Sequence, residues 1–304
     1  MPSTTTPVCS ADPTEPATPA DPTRAPLPWR MRPAARWLSG TNLAALLVAL
    51  FVALPLYWLV ATSFKSTKDV AGAQVVPLHP TTANYHTAFT TYSFGTYIGN
   101  SAIVAVCTTV LVLSLGTFAG YALGRLPMRG RTGIMTVLLM ISLFPTVALV
   151  APLYILLRDV GWLNSYQGLI VSYAALTLPF AVWILRNYFL SIPKEMEEVA
   201  WMDGASPVRT VLSVILPQSL PGLFTAGVFT FVAAWTEFLI ALSVDNEDRY
   251  RTIPVGIALF GGQYTVPYGT IFAASAVAML PIALLVLTFR KAVVSGLTAG
   301  AVKG

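Results

Sequence analysis

Charge is scarce in this chain. Only 10% of its 304 residues are Asp, Glu, Lys or Arg, too few to keep the surface of a soluble protein of this length wetted. Cysteine and histidine are rarer still, with two of each. Cys9 lies in a proline-rich head and Cys107 in the middle of an apolar run, so no disulfide is expected between them and cysteine says nothing about compartment. His79 and His86 have no third ligand nearby, which leaves them as loop histidines and provides no metal site. No Ser/His/Asp, Cys/His or His-rich constellation occurs. There is no Gly-Lys dipeptide, hence no G-x-x-x-x-G-K-[ST] loop to cradle phosphates, and the chain cannot hydrolyse ATP by itself. Its basic residues are scattered along the sequence, so nothing marks a nucleic-acid partner.

What fills the sequence instead is apolar: 55% of residues are hydrophobic and the mean hydropathy is +0.69. These values specify an all-α membrane protein, because helices satisfy their own backbone hydrogen bonds in lipid. Runs long enough for a ~30 Å hydrocarbon core fall near 41–63, 97–122, 134–157, 168–189, 221–243 and 269–289, predicting six transmembrane helices. The first, TNLAALLVALFVALPLYWLVATS, carries no charge. Thirteen Lys and Arg fall on one side of these spans, among them Arg36, Arg125, Arg131, Lys194, Arg209 and Arg290; five fall on the other, Lys65, Lys68, Arg158, Arg249 and Arg251. The excess of positive charge in cytoplasmic loops then places both termini in the cytoplasm.

Residues 1–40 form the head of the chain. Eight prolines occupy its first 28 positions with almost no large apolar side chains, so a disordered tail is expected there. The apolar run that follows is too long for a signal-peptide core and is kept as a span. The predicted organisation is thus a tail over 1–40 and a six-helix membrane domain over 41–304.

One stretch departs from this background, KEMEEVAWMDGASPVRTVLSVILP at 194–217, where Glu195, Glu197, Glu198 and Asp203 fall within nine positions. It reads as two short helices. The acids favour a helix N-terminus after Pro193, and Met196, Val199 and Ala200 make a narrow apolar stripe. Gly204 suits a helix end with positive φ, and Ser206-Pro207 reads as an N-cap and a first helical residue. An amphipathic helix lying on lipid is the plain reading, but such helices carry Lys and Arg toward anionic headgroups, and this one is acidic. A basic protein partner that takes the turn into a groove explains it better.

The spacing Glu198-Val199-Ala200, three residues, Gly204, nine residues, Val214-Ile215-Leu216-Pro217 resembles the EAA loop, E-A-A-x3-G-x9-I-x-L-P, of membrane subunits of bacterial ATP-binding cassette importers. Val199 and Val214 depart from that pattern and stay apolar. TIPVGI at 252–257, YGTIFAASAVAMLPIALLVL at 268–287 and GLTAGAVKG at 296–304 are similar to the second membrane subunit of the maltose type, in the carbohydrate-uptake branch. The resemblance covers roughly 41–304. It implies a type I importer permease fold and an ATPase-coupling role for Glu197, Glu198, Ala200, Asp203, Gly204, Ala205, Ser206, Pro207, Leu216 and Pro217. It also implies a heterodimer with a second permease subunit, two ATPase subunits and an extracytoplasmic solute-binding protein. This chain itself would bind no cofactor, with ATP and Mg on the partner ATPase and a sugar as cargo. The segment Arg251–Pro267, with Gly261, Gly262, Gln263 and Tyr264, resembles the region that reaches into the binding protein, and the C-terminal motif resembles the tail that reaches toward the ATPases.

Glu237 is the one ionisable side chain deep in an expected span. Placing it there costs ~2.5–3.5 kcal/mol on insertion scales, so it should face protein or a water-filled cavity. It suits either the solute pathway or a structural hydrogen bond to a neighbouring span. Its neighbours Trp235 and Phe238 suit sugar C–H faces or helix packing. Gly116, Gly120 and Gly124 repeat at four-residue intervals, as at a close helix–helix seam with either this chain or a partner. Pro55, Pro145, Pro179 and Pro281 fall inside expected spans, where kinks are tolerated. Rival readings are an ion-coupled transporter with Glu237 as proton site, a scaffold with no pathway, and the same importer carrying a polyol, glycerol phosphate or other solute.

Overall fold

A computed structural model of the chain describes residues 40–70, 72, 74–261 and 265–299. The expected tail lies outside them except for Gly40, which opens the first helix, and so do Gly262, Gln263, Tyr264 and the last five residues of the C-terminal motif. The helices are α1 (Gly40–Ser63), α2 (Thr67–Val70), α3 (Ala83–Thr91), α4 (Phe94–Arg125), α5 (Arg131–Ser142), α6 (Thr146–Asp159), α7 (Tyr166–Ser191), α8 (Glu195–Met202), α9 (Pro207–Thr210), α10 (Leu216–Gln218), α11 (Leu220–Thr236), α12 (Leu239–Val244), α13 (Ile253–Ala258) and α14 (Tyr268–Ala299). A π-helical turn, Val211–Ile215, joins α9 to α10, and among the described residues there is no strand. Residues up to Ala53 and residues from Leu54 onward form two units. The described part of the first is the opening of α1, apolar and exposed from Leu43 to Val52.

Four helices are long and apolar enough to cross a bilayer: α1, α4, α7 and α14. Two bent pairs raise the number to six if each counts as one span. The continuous helices expected over 134–157 and 221–243 are therefore both corrected. In the first, α5 and α6 meet at 94° across Leu143–Pro145. Pro145 has no N–H to continue the ladder, and α5 closes with Leu143 and Phe144 N–H donating three residues back, to the Met140 and Ile141 carbonyls. The second breaks at Glu237–Phe238, where Phe238 leaves helical geometry at φ −121°, ψ −44°. On its other side, the run Pro207–Gln218 turns by 84° into α11.

α4 and α7 form the central pair of the second unit. An added Cβ at Gly116 would lie 3.2 Å from Leu185, and one at Gly120 3.1 Å from the Arg186 backbone nitrogen. The glycine stripe of α4 is thus a seam within this chain, where missing side chains let α7 approach. Around one end of the pair cluster Phe94, Tyr97, Tyr173, Trp235 and Ile240; around the other, Tyr121, Leu185, Phe189, Val211 and Ile215. By helical rise, the 26 residues of α7 separate those ends by about 39 Å.

Candidate functional site

At the C-terminal end of α7 the polar stretch forms a capped helix–turn–helix. Gly204 stands at φ +77°. Its N–H donates to the Trp201 carbonyl at 3.0 Å, and the Ala205 N–H donates to the Ala200 carbonyl at 2.9 Å. This pair of bonds is the Schellman closure of α8. Ser206 then caps α9, its hydroxyl accepting from the Arg209 N–H, with Pro207 in the first turn. The acids crowd the first turn of α8, but its N-cap is Lys194 and no side chain caps it.

The buried face of α8 is not the expected apolar stripe. Glu197 and Ala200 are buried, whereas Val199 is exposed. Glu197 goes inward because Arg125, at the end of α4, lies 3.0 Å from its carboxyl. Outward point Glu198, Val199, Trp201, Met202, Asp203, Gly204, Ser206, Pro207, Val208 and Leu212. The face therefore combines exposed large apolar side chains with two acids, the composition of a docking surface. Leu216 is half-buried and Pro217 exposed, one turn before the bend into α11, and Ala205 is half-buried beneath the turn.

A second feature lies along α7. A cleft of about 440 Å³ is lined by Thr146, Tyr173, Thr177, Thr236, Glu237 and Phe238, with apolar neighbours from the same elements. Both broken spans contribute to it, Thr146 at the start of α6 and Glu237–Phe238 between α11 and α12. Irregular backbone at membrane depth is tolerated where it lines a cavity, and it marks pathways in transporters. The hydrogen bonds of Glu237 with sound geometry are local to its own segment. Its two oxygens accept the N–H groups of Ile240, at 2.9 Å, and Ala241, at 3.1 Å, and so cap α12. The Tyr173 hydroxyl faces the same carboxyl without a well-aligned bond.

The family described as the binding-protein-dependent transport system inner membrane component matches residues 112–298. This chain belongs to that family. Among its relatives, the trehalose/maltose transport system permease protein MalG of Thermococcus litoralis is 39% identical over 265 residues, covering 86% of this chain and 95% of the relative. The sulfoquinovosyl glycerol transport system permease protein SmoH of Agrobacterium fabrum is also 39% identical, over 252 residues, 82% of this chain and 88% of that one. The fold matches a chain of a bacterial ABC transporter involved in the import of the acidic polysaccharide alginate, with a TM-score of 0.73, 22% identity and coverage of 85% of this chain and 98% of that one.

Trp235 is buried, stacks on Phe231 at 5.4 Å and donates its indole N–H to the Ala278 carbonyl of α14 at 3.1 Å. It packs α11 against α14 and is absent from the lining of the cleft, whereas Phe238 is part of it. Gly261 sits at φ +113°. The approach to it is fixed from α4, where the Asn100 amide donates to the Arg249 and Arg251 carbonyls and the Ser101 hydroxyl accepts the Ile253 N–H. His79 and His86 are exposed, and among the described residues no three His, Cys, Asp or Glu side chains gather as metal ligands.

Sequence reasoning missed Asp245, just beyond α12. It is 2% exposed, and neither carboxyl oxygen has a hydrogen-bond partner. Burial pushes its pKa up to about 7, opposed by the nearby Ser165 backbone and reinforced by the charge of Glu247. The folded chain thus holds a proton that the unfolded chain releases above the ordinary value of 3.8. Stability from this group therefore falls as pH rises from there to about 7, and is flat above. Asp245→Asn, neutral at every pH, is expected to melt higher than the parent at pH 8, with the gap closing toward pH 4. Thermal melts of the detergent-solubilised protein at both pH values check this; a gap that is constant or widens on acidification would refute it.

Proposed function

We propose that this chain is the permease subunit of an importer that carries a sugar, a disaccharide or oligosaccharide, across the cytoplasmic membrane, driven by ATP hydrolysed on a partner subunit docked at residues 194–217. The observation that carries the reading is the capped turn at Gly204 with its exposed Val199, Trp201, Met202 and Val208. An exposed apolar face at the C-terminal end of α7 has no use in an isolated permease, and it gives a motor a handle. The cleft at Glu237 is the proposed solute path, and its hydroxyl-bearing lining, Thr146, Tyr173, Thr177 and Thr236, suits a polyhydroxyl cargo. The relatives' names support a sugar, and the sulfoquinovosyl glycerol permease supports a glycerol-linked solute as the alternative cargo.

The partners in this reading are a second permease subunit, two ATPase subunits and an extracytoplasmic binding protein. The excess of Lys and Arg beside α8 and at the chain ends supports a cytoplasmic position for both termini. Against the ion-coupled alternative, capping of α12 by both Glu237 oxygens gives that carboxyl a structural task that needs no titration.

Tagged purification in mild detergent, with mass spectrometry of what accompanies the chain, tests the assembly, and proteoliposome uptake of labelled trehalose and maltose tests the cargo. An ATPase and a second permease are expected in the wild-type preparation, with the ATPase weakened or lost in Gly204→Asp, which adds a carboxyl beside Asp203. A chain that purifies alone, or uptake that persists without ATP and collapses with an uncoupler, would overturn the proposal.

A further inference from the structure

The contact between α8 and the core has a composition that packing does not explain. α8 has eight residues and buries only Glu197 and Ala200, too little apolar area to hold it in one place. What holds it is charge. The Arg125 Nε lies 3.0 Å from Glu197 Oε1, and the two side chains are 3% and 5% exposed. The N–H does not point squarely at that oxygen, so the pair is an ion contact and not an aligned hydrogen bond. Tyr121, one turn back along α4, donates its hydroxyl to Glu197 Oε2 at 3.1 Å. The other arm of Arg125, Nη2, donates to the Phe189 and Ile192 carbonyls at the end of α7.

One guanidinium therefore ties together the ends of α4 and α7 and the first turn of α8. Buried ion pairs are poor sources of stability, since apolar residues of similar size often do as well, and their best-attested use is to fix one arrangement among several. This one sits between the exposed turn and the helix that, part-way along its length, supplies Tyr173 and Thr177 to the cleft.

We propose that Arg125, Glu197 and Tyr121 form a buried latch that passes movement of the Gly204 turn to α4 and α7, with Glu197 acting as a positioning residue that does not itself touch the ATPase. The inference rests on the reading that an ATPase docks at this turn. Without the latch, α8 would follow its partner while α4 and α7 stayed behind, so hydrolysis would run ahead of transport.

The test uses the complete transporter in proteoliposomes, comparing solute moved per ATP hydrolysed in wild type, Glu197→Gln and Tyr121→Phe, two substitutions that keep side-chain volume. The ratio is expected to fall about fivefold or more in Glu197→Gln and about twofold in Tyr121→Phe, with the ATPase still co-purifying in both. A helix that is merely destabilised would lower both rates together and leave the ratio alone. An unchanged ratio in both variants overturns the latch. So does loss of the ATPase from Glu197→Gln, which would place Glu197 on the docking face. Absence of an ATPase from the wild-type preparation would overturn the docking reading, and the latch with it, and is told apart because it needs no substitution.

Discussion

Gly204→Val is expected to reduce ATP-driven uptake roughly tenfold or more while leaving the transmembrane helices folded. Gly204 stands at φ +77° with no neighbour within 4 Å of an added Cβ, so a side chain there meets open space and the cost is in the backbone alone. For an L-residue the left-handed region costs roughly 1–2 kcal/mol, and a β-branched residue tolerates it least. Valine is expected to escape by giving up the Schellman bonds from Gly204 and Ala205, which unwinds the last turn of α8 and carries Trp201 and Met202 away from their places. About 2 kcal/mol spent restoring the turn on docking corresponds to roughly 30-fold in affinity. Gly204→Asn separates strain from lost space, because asparagine visits this region readily. It should keep most of the uptake that valine loses. Proteoliposome uptake and the melting temperature of both variants decide the matter: equal losses in the two, or a large fall in melting temperature, would show that the conformation of the turn is not what matters.

Much of this geometry is written in the sequence, and the rest is hidden for identifiable reasons. Long apolar runs announce the spans because lipid demands them. A run of hydropathy nevertheless passes unbroken through a kink, so the breaks at Leu143–Pro145 and Glu237–Phe238 were not visible as breaks. Pro145 was a signal for the first, and it stands at the N-cap of α6, where a missing N–H costs nothing. The turn at Gly204 could be read from glycine, serine and proline chemistry, which is local. The inward face of α8 could not, because the acid Glu197 displaces the apolar Val199 only through Arg125, 72 positions earlier in the chain. Asp245 lies in a polar run, SVDNEDR, that reads as a solvated loop. Its burial is set beside the 164–166 corner, where Asn164 takes φ +50° and its side-chain oxygen accepts the Asn246 and Glu247 N–H groups.

Glu237 is where a local rule and the membrane setting meet, and Glu237→Ala is expected to cost the most stability of any substitution in the cleft. Both amides it now satisfies, those of Ile240 and Ala241, belong to buried residues that water reaches poorly. An unsatisfied buried group costs about 1–3 kcal/mol, so losing both acceptors is worth roughly 2–6 kcal/mol, with α12 fraying toward the cleft. Glutamine keeps one acceptor oxygen and turns an NH₂ toward the other amide, so Glu237→Gln should fall between alanine and wild type. Melting of the detergent-solubilised protein gives that order, wild type above glutamine above alanine, and transport should fall in the same order if the carboxyl acts by holding the half-helix. The informative departure is glutamine that melts like wild type yet transports no better than alanine. The acid would then be working on the solute and not on the helix, whereas alanine that melts like wild type would remove the capping argument altogether.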